Sequence, residues 1–188
     1  MICPTNKGKK LHPFVALAHN SIQTYLESGH TLAVPANLPD ALHQPGAVFV
    51  SLHMADGDLR GCRGTLTPTE PTLAEAIIKT AVASATDDPR FQPMILPEME
   101  GLQIKVDVLS EMEPVTDISL LNEKIYGVLI QSGNRRAVLL PDIAAVNSVE
   151  QQLMLVRRKA GLSQTEPANL YRFTVTRYHA NSKPDIYE

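Results

Sequence analysis

The stretch LRGCRGTL at residues 59–66 brings a thiol, two guanidinium groups and a hydroxyl into one short segment. Cys62 lies between Arg60 and Arg63, and neighbouring positive charge favours a thiolate over a thiol. His53, on the preceding segment, is the nearest base or imidazolium partner for such a sulfur. The competing reading makes Cys62 a small packed side chain, with Gly61 and Gly64 relieving backbone crowding and the arginines solvated. A third reading is a ligand contact without covalent chemistry. The backbone donors from Gly61 through Gly64, with Thr65, lie close to a helix expected to start around Glu70 and can hold an anion. The string is not GxxxxGK[ST] and lacks the dinucleotide glycine spacing, so a turn set by strand geometry stands beside the anion reading. Arg135, followed by Arg136, supplies further cations from a separate hairpin.

These side chains need a frame, and AVFVSLHM at 47–54 provides its clearest part. Val48, Val50, Leu52 and Met54 alternate with Phe49, Ser51 and His53, and Asp56-Gly57 is a hairpin turn signal. With a two-residue loop, Ala55 faces Asp58, His53 pairs with Arg60, and Ser51 pairs with Cys62. Ser51, His53, Arg60 and Cys62 then share one face, while Val50, Leu52, Met54 and Leu59 form the core face. The parity also points Arg63 toward the core, where a guanidinium needs an edge position or an acidic partner. One residue more in the loop changes this register.

Elsewhere the periodicity predicts helices from Pro13 to Gly29, over 73–85, and from an Asp142 cap to Gly161 along Ile143, Val146, Val149, Leu153 and Val156. Strands are expected at 48–54, 59–65, 102–109, 127–131 and 137–140, with a further one in LYRFTVTRY at 170–178. The expectation is an α+β fold: a predominantly antiparallel sheet packed with about three helices. Residues 12–180 read as a single domain with room for a smaller lobe, and 1–11 and 181–188 as flexible termini.

Composition narrows the function classes. The 188 residues carry a formal charge of −3, which gives no general electrostatic reason to bind nucleic acid or an anionic membrane. No apolar run approaches the roughly 18–20 residues that span a bilayer. Two cysteines, Cys3 and Cys62, make no disulfide framework, so a reducing cytoplasm is the expected setting. Six histidines form no HExxH and no compact ligand triad, so neither a metal site nor a cofactor is expected. Asp87 and Asp88 can act as an acid–base pair, but just before Pro89 they suit a capped turn. The cations of VRRKAG at 156–161 suit a helix C-terminus.

Several stretches in series resemble the AMMECR domain family: VFVSLHMADGDLRGCRGTL at 48–66, DPRF at 88–91, LQIKVDVLSEMEPV at 102–115, GVLIQSGNRRAVLLPDIA at 127–144, RKAGL at 158–162 and LYRF at 170–173. The resemblance covers roughly 14–178. It implies an α+β fold with a larger and a smaller lobe around a cleft, in an intracellular protein of unestablished molecular function. It also implies companions of Memo type and radical S-adenosylmethionine type. Its signature carries onto Leu59, Arg60, Gly61, Cys62, Gly64 and Thr65. The chain departs from the family pattern at Arg63, usually aliphatic, at Tyr126, often histidine, and near Arg157, where a cysteine is common; the usual tryptophan after KAGL is missing. Two function classes follow: an enzyme or enzyme component binding a small anionic ligand near Cys62, or a non-catalytic accessory protein binding a protein or peptide of a modification pathway.

Overall fold

The computed structural model describes residues 11–180 and 185–186. Of the termini expected to be flexible, only Leu11 and the pair 185–186 fall within that range; Cys3 lies outside it. In chain order the elements are α1 (Pro13–Ser28), β1 (Ala47–His53), β2 (Leu59–Gly64), α2 (Leu73–Thr86), β3 (Gln103–Leu109), β4 (Glu113–Pro114), β5 (Gly127–Ser132), β6 (Arg135–Leu139), α3 (Val149–Lys159), β7 (Asn169–Phe173), β8 (Val175–Tyr178) and β9 (Asp185–Ile186). The described residues fall into two compact units, one running to Val108 and taken up again at Arg177, the other spanning Leu109–Thr176.

In the first unit α1 starts where Pro13 fits the first helical turn and His12 Nδ1 accepts from the Phe14 N–H at 3.3 Å. It stops at Gly29, whose φ of +73° suits a glycine cap. Its stripe of Phe14, Leu17, Ala18 and Ile22 is buried as the periodicity predicts. A reciprocal capping box between Thr72 and Glu75 opens α2, two residues beyond the expected start near Glu70. Alanine, serine and threonine dominate α2, so it approaches the sheet closely and is buried on most sides. Val48, Val50 and Leu52 of β1 are fully buried against these helices; each such burial is worth about 1.5–3 kcal/mol.

The expected α+β class, three helices and antiparallel pairing are all present. The strands, however, form two sheets rather than one: β2-β1-β3-β8-β9 and β4-β7-β5-β6. The β5–β6 hairpin finds its other neighbour in β7, with Gly127 opposite Phe173 and Gln131 opposite Asn169. LYRFTVTRY is therefore two strands, not one. The helix expected from Asp142 begins at Val149 under a Ser148 cap. Asp142 sits at φ +52°, a left-handed conformation that cannot enter an α-helix, so Ile143 and Val146 precede the helix. Asp107 of β3 is buried and answered by Arg177, with Nε to Oδ1 at 2.8 Å and Nη2 to Oδ2 at 3.1 Å.

Within the second unit, α3 covers β5 and β6, joining Val156 and Ala160 to Val128, Ile130 and Ala137. Two departures from the family pattern have structural partners there. Tyr126 lies under the Arg172 guanidinium, 4.4 Å from ring centroid to carbon, and Arg172 also reaches Glu113 at 3.0 Å. Arg157 Nη1 donates to the carbonyls of Ser163 and Glu166, tying the segment after KAGL to the helix.

Candidate functional site

The β1–β2 hairpin decides where each candidate side chain goes. Its loop has three residues, Ala55, Asp56 and Gly57, because Met54 N–H donates to Asp58 O at 2.9 Å and Gly57 takes φ +94°. The extra loop residue pairs His53 with Leu59 instead of Arg60. A β-bulge then absorbs the slip, leaving Arg60 as the additional residue and restoring Leu52 opposite Gly61 and Ser51 opposite Cys62. The expected Ser51–Cys62 pair is thus present, while the His53–Arg60 pair is replaced. Leu59, expected in the core, is exposed at the strand's start. His53 Nδ1 lies 3.1 Å from Gly57 O, so its ring serves the hairpin loop.

The bulge aims Arg60 at Glu98. Nε donates to Oε1 at 2.7 Å and Nη2 to Oε2 at 3.1 Å, with a further bond from Nη2 to Gln92 O at 3.0 Å. This bidentate pair holds the Glu98 carboxyl below its ordinary range, chiefly through the Arg60 hydrogen bonds and against burial. Arg60 Nη1 is buried without a hydrogen-bond partner among the described residues.

Asp88 secures the outer edge of β2. Its side chain is only 3% exposed and accepts four donors: Cys62 N–H at 2.8 Å, Arg90 N–H at 3.1 Å, Arg90 Nε at 2.9 Å and Arg90 Nη2 at 2.6 Å. The Arg90 side-chain bonds, then the Cys62 and Arg90 backbone bonds, hold this carboxyl far below the usual range despite its burial. Arg90 itself stays 55% exposed. Its proton is held more firmly by the Asp88 hydrogen bond first, against desolvation, and then by the charges of Asp88 and Cys62. The guanidinium in electrostatic reach of the sulfur therefore includes Arg90, which the sequence reading passed over. Phe91 joins the group, with Arg90 5.4 Å and Arg60 5.8 Å from its ring centroid.

The remaining candidates have separate surroundings. Gly61 packs against α2, where a β-carbon would lie 2.1 Å from the Ser84 carbonyl oxygen. Ser84 Oγ bridges the strands beside it, accepting from Arg63 N–H at 3.0 Å and donating to Val50 O at 2.8 Å. With Cys62 N–H on Asp88 and Thr65 N–H on Val48 O at 3.0 Å, three donors of the expected backbone cradle serve the protein itself. Gly64 and Thr65 line a hollow beside α2. Arg135 belongs to the second unit, where it bonds the Glu166 carboxylate and Gly161 O. Arg63, opposite Val50 on the edge strand, reaches water as the edge option required. Among the described residues no three or more histidine, cysteine and acidic side chains are grouped to hold a metal ion, and no helix is long and apolar enough to cross a membrane.

Fold and site together define an α+β protein of two antiparallel-sheet units, one of which carries a cysteine on an edge strand clasped by an Asp–Pro–Arg–Phe turn. The AMMECR1 family model matches residues 15–182, and the chain belongs to this family. It is 45% identical over 169 residues to a Thermotoga maritima protein, covering 89% of this chain and 97% of that one. A Clostridium acetobutylicum protein is 36% identical over 92% of this chain, which spans 37% of that longer protein. The crystal structure of an uncharacterized Pyrococcus horikoshii protein is similar with a TM-score of 0.84 and 32% identity, over 92% of this chain and 95% of that one.

Proposed function

We propose that residues 12–180 act as one cytoplasmic domain that binds a small anionic ligand beside Cys62, as an enzyme or enzyme component. Arg60 and Arg90 supply positive charge and Cys62 is a ligand contact. His53, bonded to the hairpin loop, is the group assigned to proton exchange. The observation that carries this reading is the half-exposed Arg90 guanidinium, held by the same Asp88 carboxylate that takes the Cys62 N–H.

Charge-selective alkylation tests the proposal. In a Cys3→Ser background, the ratio of iodoacetate to iodoacetamide reactivity at Cys62 is expected to exceed that of a neutral free thiol. Arg90→Met should lower the ratio by about fivefold, the equivalent of about 1 kcal/mol between unit charges 4 Å apart in water. Added salt should erode the preference as well. A ratio equal to that of the free thiol in the parent protein, or no alkylation of the folded chain, would overturn the reading.

The accessory alternative has its own support. Leu59, Ile95 and Leu96 are exposed on the segments that carry Arg60, Gln92 and Glu98, which suits a protein-facing surface. The partner class is the Memo-type or radical S-adenosylmethionine protein that the family resemblance implies, and the length of the Clostridium relative leaves room for a second fused region. Ile95→Ser should then abolish co-elution with a Memo-type protein, whereas absence of co-elution by the parent chain argues against this alternative.

A further inference from the structure

Strand β6 has a strand neighbour on one side only. It ends the order β4-β7-β5-β6, paired with β5 from Ser132 opposite Arg135 to Val128 opposite Leu139. Gly133 and Asn134 alone separate Ser132 from Arg135, and Gly133 at φ +56° suits the first position of such a two-residue loop. The residues flanking a loop of this length bond to each other, and antiparallel pairing alternates from there. Arg135, Ala137 and Leu139 therefore direct their backbone groups to β5, whereas Arg136 and Val138 direct theirs away from the sheet. A side-chain bond agrees with this direction: Val138 O accepts from Lys159 Nζ at 3.1 Å, and Lys159 belongs to α3. Among the described residues, Arg136 N–H, Arg136 O and Val138 N–H have no partner beyond this edge. The edge strand of the other sheet is guarded differently, its outward Cys62 N–H being taken by Asp88.

Charge decides what such an edge takes. Ala137 and Leu139 pack with α3, so by alternation Arg136 and Val138 lie on the opposite face of the sheet. Lys159 thus stands at the edge on the α3 side, and the exposed Arg136 on the far side. Neither has a carboxylate partner among the described residues, unlike Arg135, which is bonded to Glu166. A second copy of β6 added here would set like charge against like. A strand with one carboxylate on each face meets both cations instead. We propose that β6 docks an extended acidic segment of a partner protein as an added strand, bonded through the backbone of Arg136 and Val138 and held on its two faces by Arg136 and Lys159. Val138 O takes part without releasing Lys159, because a carbonyl oxygen has two lone pairs. Adjacent residues of a strand face opposite sides, so the recognised segment carries two neighbouring acidic residues in a proline-free run. The surface belongs to the second unit and does not rest on the chemistry of Cys62.

Titration of the ¹⁵N-labelled full chain with the peptide acetyl-Val-Thr-Glu-Glu-Thr-Val-amide tests the proposal. The Arg136 and Val138 amides are expected to shift saturably and to exchange their hydrogens more slowly in the bound state. The same peptide with Lys-Lys at its centre should not bind. N-methylation of both Glu residues keeps the charge and removes backbone donors, so it should abolish binding. Arg136→Glu should weaken the affinity about fivefold, because a cross-strand attraction becomes a repulsion. Arg136 is exposed, and unchanged β5 amides would verify the fold of this variant; the N-methylated peptide, applied to the parent chain, carries the test without it. Shifts that do not saturate, equal binding of the N-methylated or Lys-Lys peptide, or undiminished affinity in folded Arg136→Glu would overturn the proposal. So would the same shifts on concentrating the chain without peptide, which would make the occupant a second copy.

Discussion

Gly61→Ala is expected to destabilise the protein by about 3 kcal/mol, a loss of roughly 6–12 °C in thermal midpoint for a chain of this size. The added methyl group would lie 2.1 Å from the Ser84 carbonyl oxygen and 3.1 Å from its carbon. Both atoms are helix backbone, so relief requires α2 to move away from β2. That movement breaks the Ser84 Oγ bridge to Arg63 N–H and Val50 O and opens the core over Leu52. Gly64→Ala is the informative control. Its methyl group would meet the Phe49 ring at 2.2 Å, but that ring is a side chain with torsions to spare, so a smaller loss is expected. Thermal and denaturant unfolding of both variants checks the ranking. A Gly61→Ala loss under 1 kcal/mol would mean that α2 is not held against the strand. Because Cys62 follows Gly61 directly, the same displacement should alter its alkylation rate.

What could be read in advance depended on the range of the interaction involved. The alternation of Val48, Val50 and Leu52, the Pro13 and Gly29 boundaries of α1, and the Ser51–Cys62 register are local patterns, and each was legible in the sequence. The register at Arg60 was not, because two compensating insertions set it: a third loop residue and a bulge. Neither leaves a mark in the binary pattern, and the Asp-Gly signal suits both loop lengths. The division into two sheets was also hidden, since the choice of β7 as neighbour for β5 is made across a long sequence separation. Arg90, Phe91 and Glu98 were missed for the same reason. Asp88 read as a turn former, and it does bond the Arg90 N–H, but its contact with Cys62 N–H spans 26 positions. The only advance signal was the Asp–x–Arg spacing in DPRF, in which an arginine two residues on can fold back to its carboxylate.

Asp88→Asn should cost about 2–3 kcal/mol at neutral pH and flatten the acid limb of the stability curve. The carboxylate receives four N–H groups on two oxygens; an asparagine replaces one oxygen with an NH₂ that opposes donors with a donor. The loss should stay below the roughly 3–5 kcal/mol of a fully buried pair, because the half-exposed Arg90 guanidinium can turn to water. The sign of the pH effect follows from the depressed carboxyl. Between the unfolded value of about 3.9 and the lower folded value, the unfolded chain binds more protons, so stability rises with pH. The contribution is fully present above the unfolded value and disappears as pH falls through the folded one. Glu98, depressed by Arg60, adds a similar contribution starting near its unfolded value of about 4.3. Denaturant midpoints at pH 7, 4, 3 and 2.5 should therefore fall less steeply in Asp88→Asn than in the parent, with the residual slope owed in part to Glu98. Identical acid slopes would show that the Asp88–Arg90 clasp does not differ between folded and unfolded chains. The same variant loosens Arg90 from its place beside Cys62, so the preference for iodoacetate should drop together with the acid slope. If the slope flattens while the preference stands, the clasp holds the edge of β2 but does not supply the charge beside the sulfur.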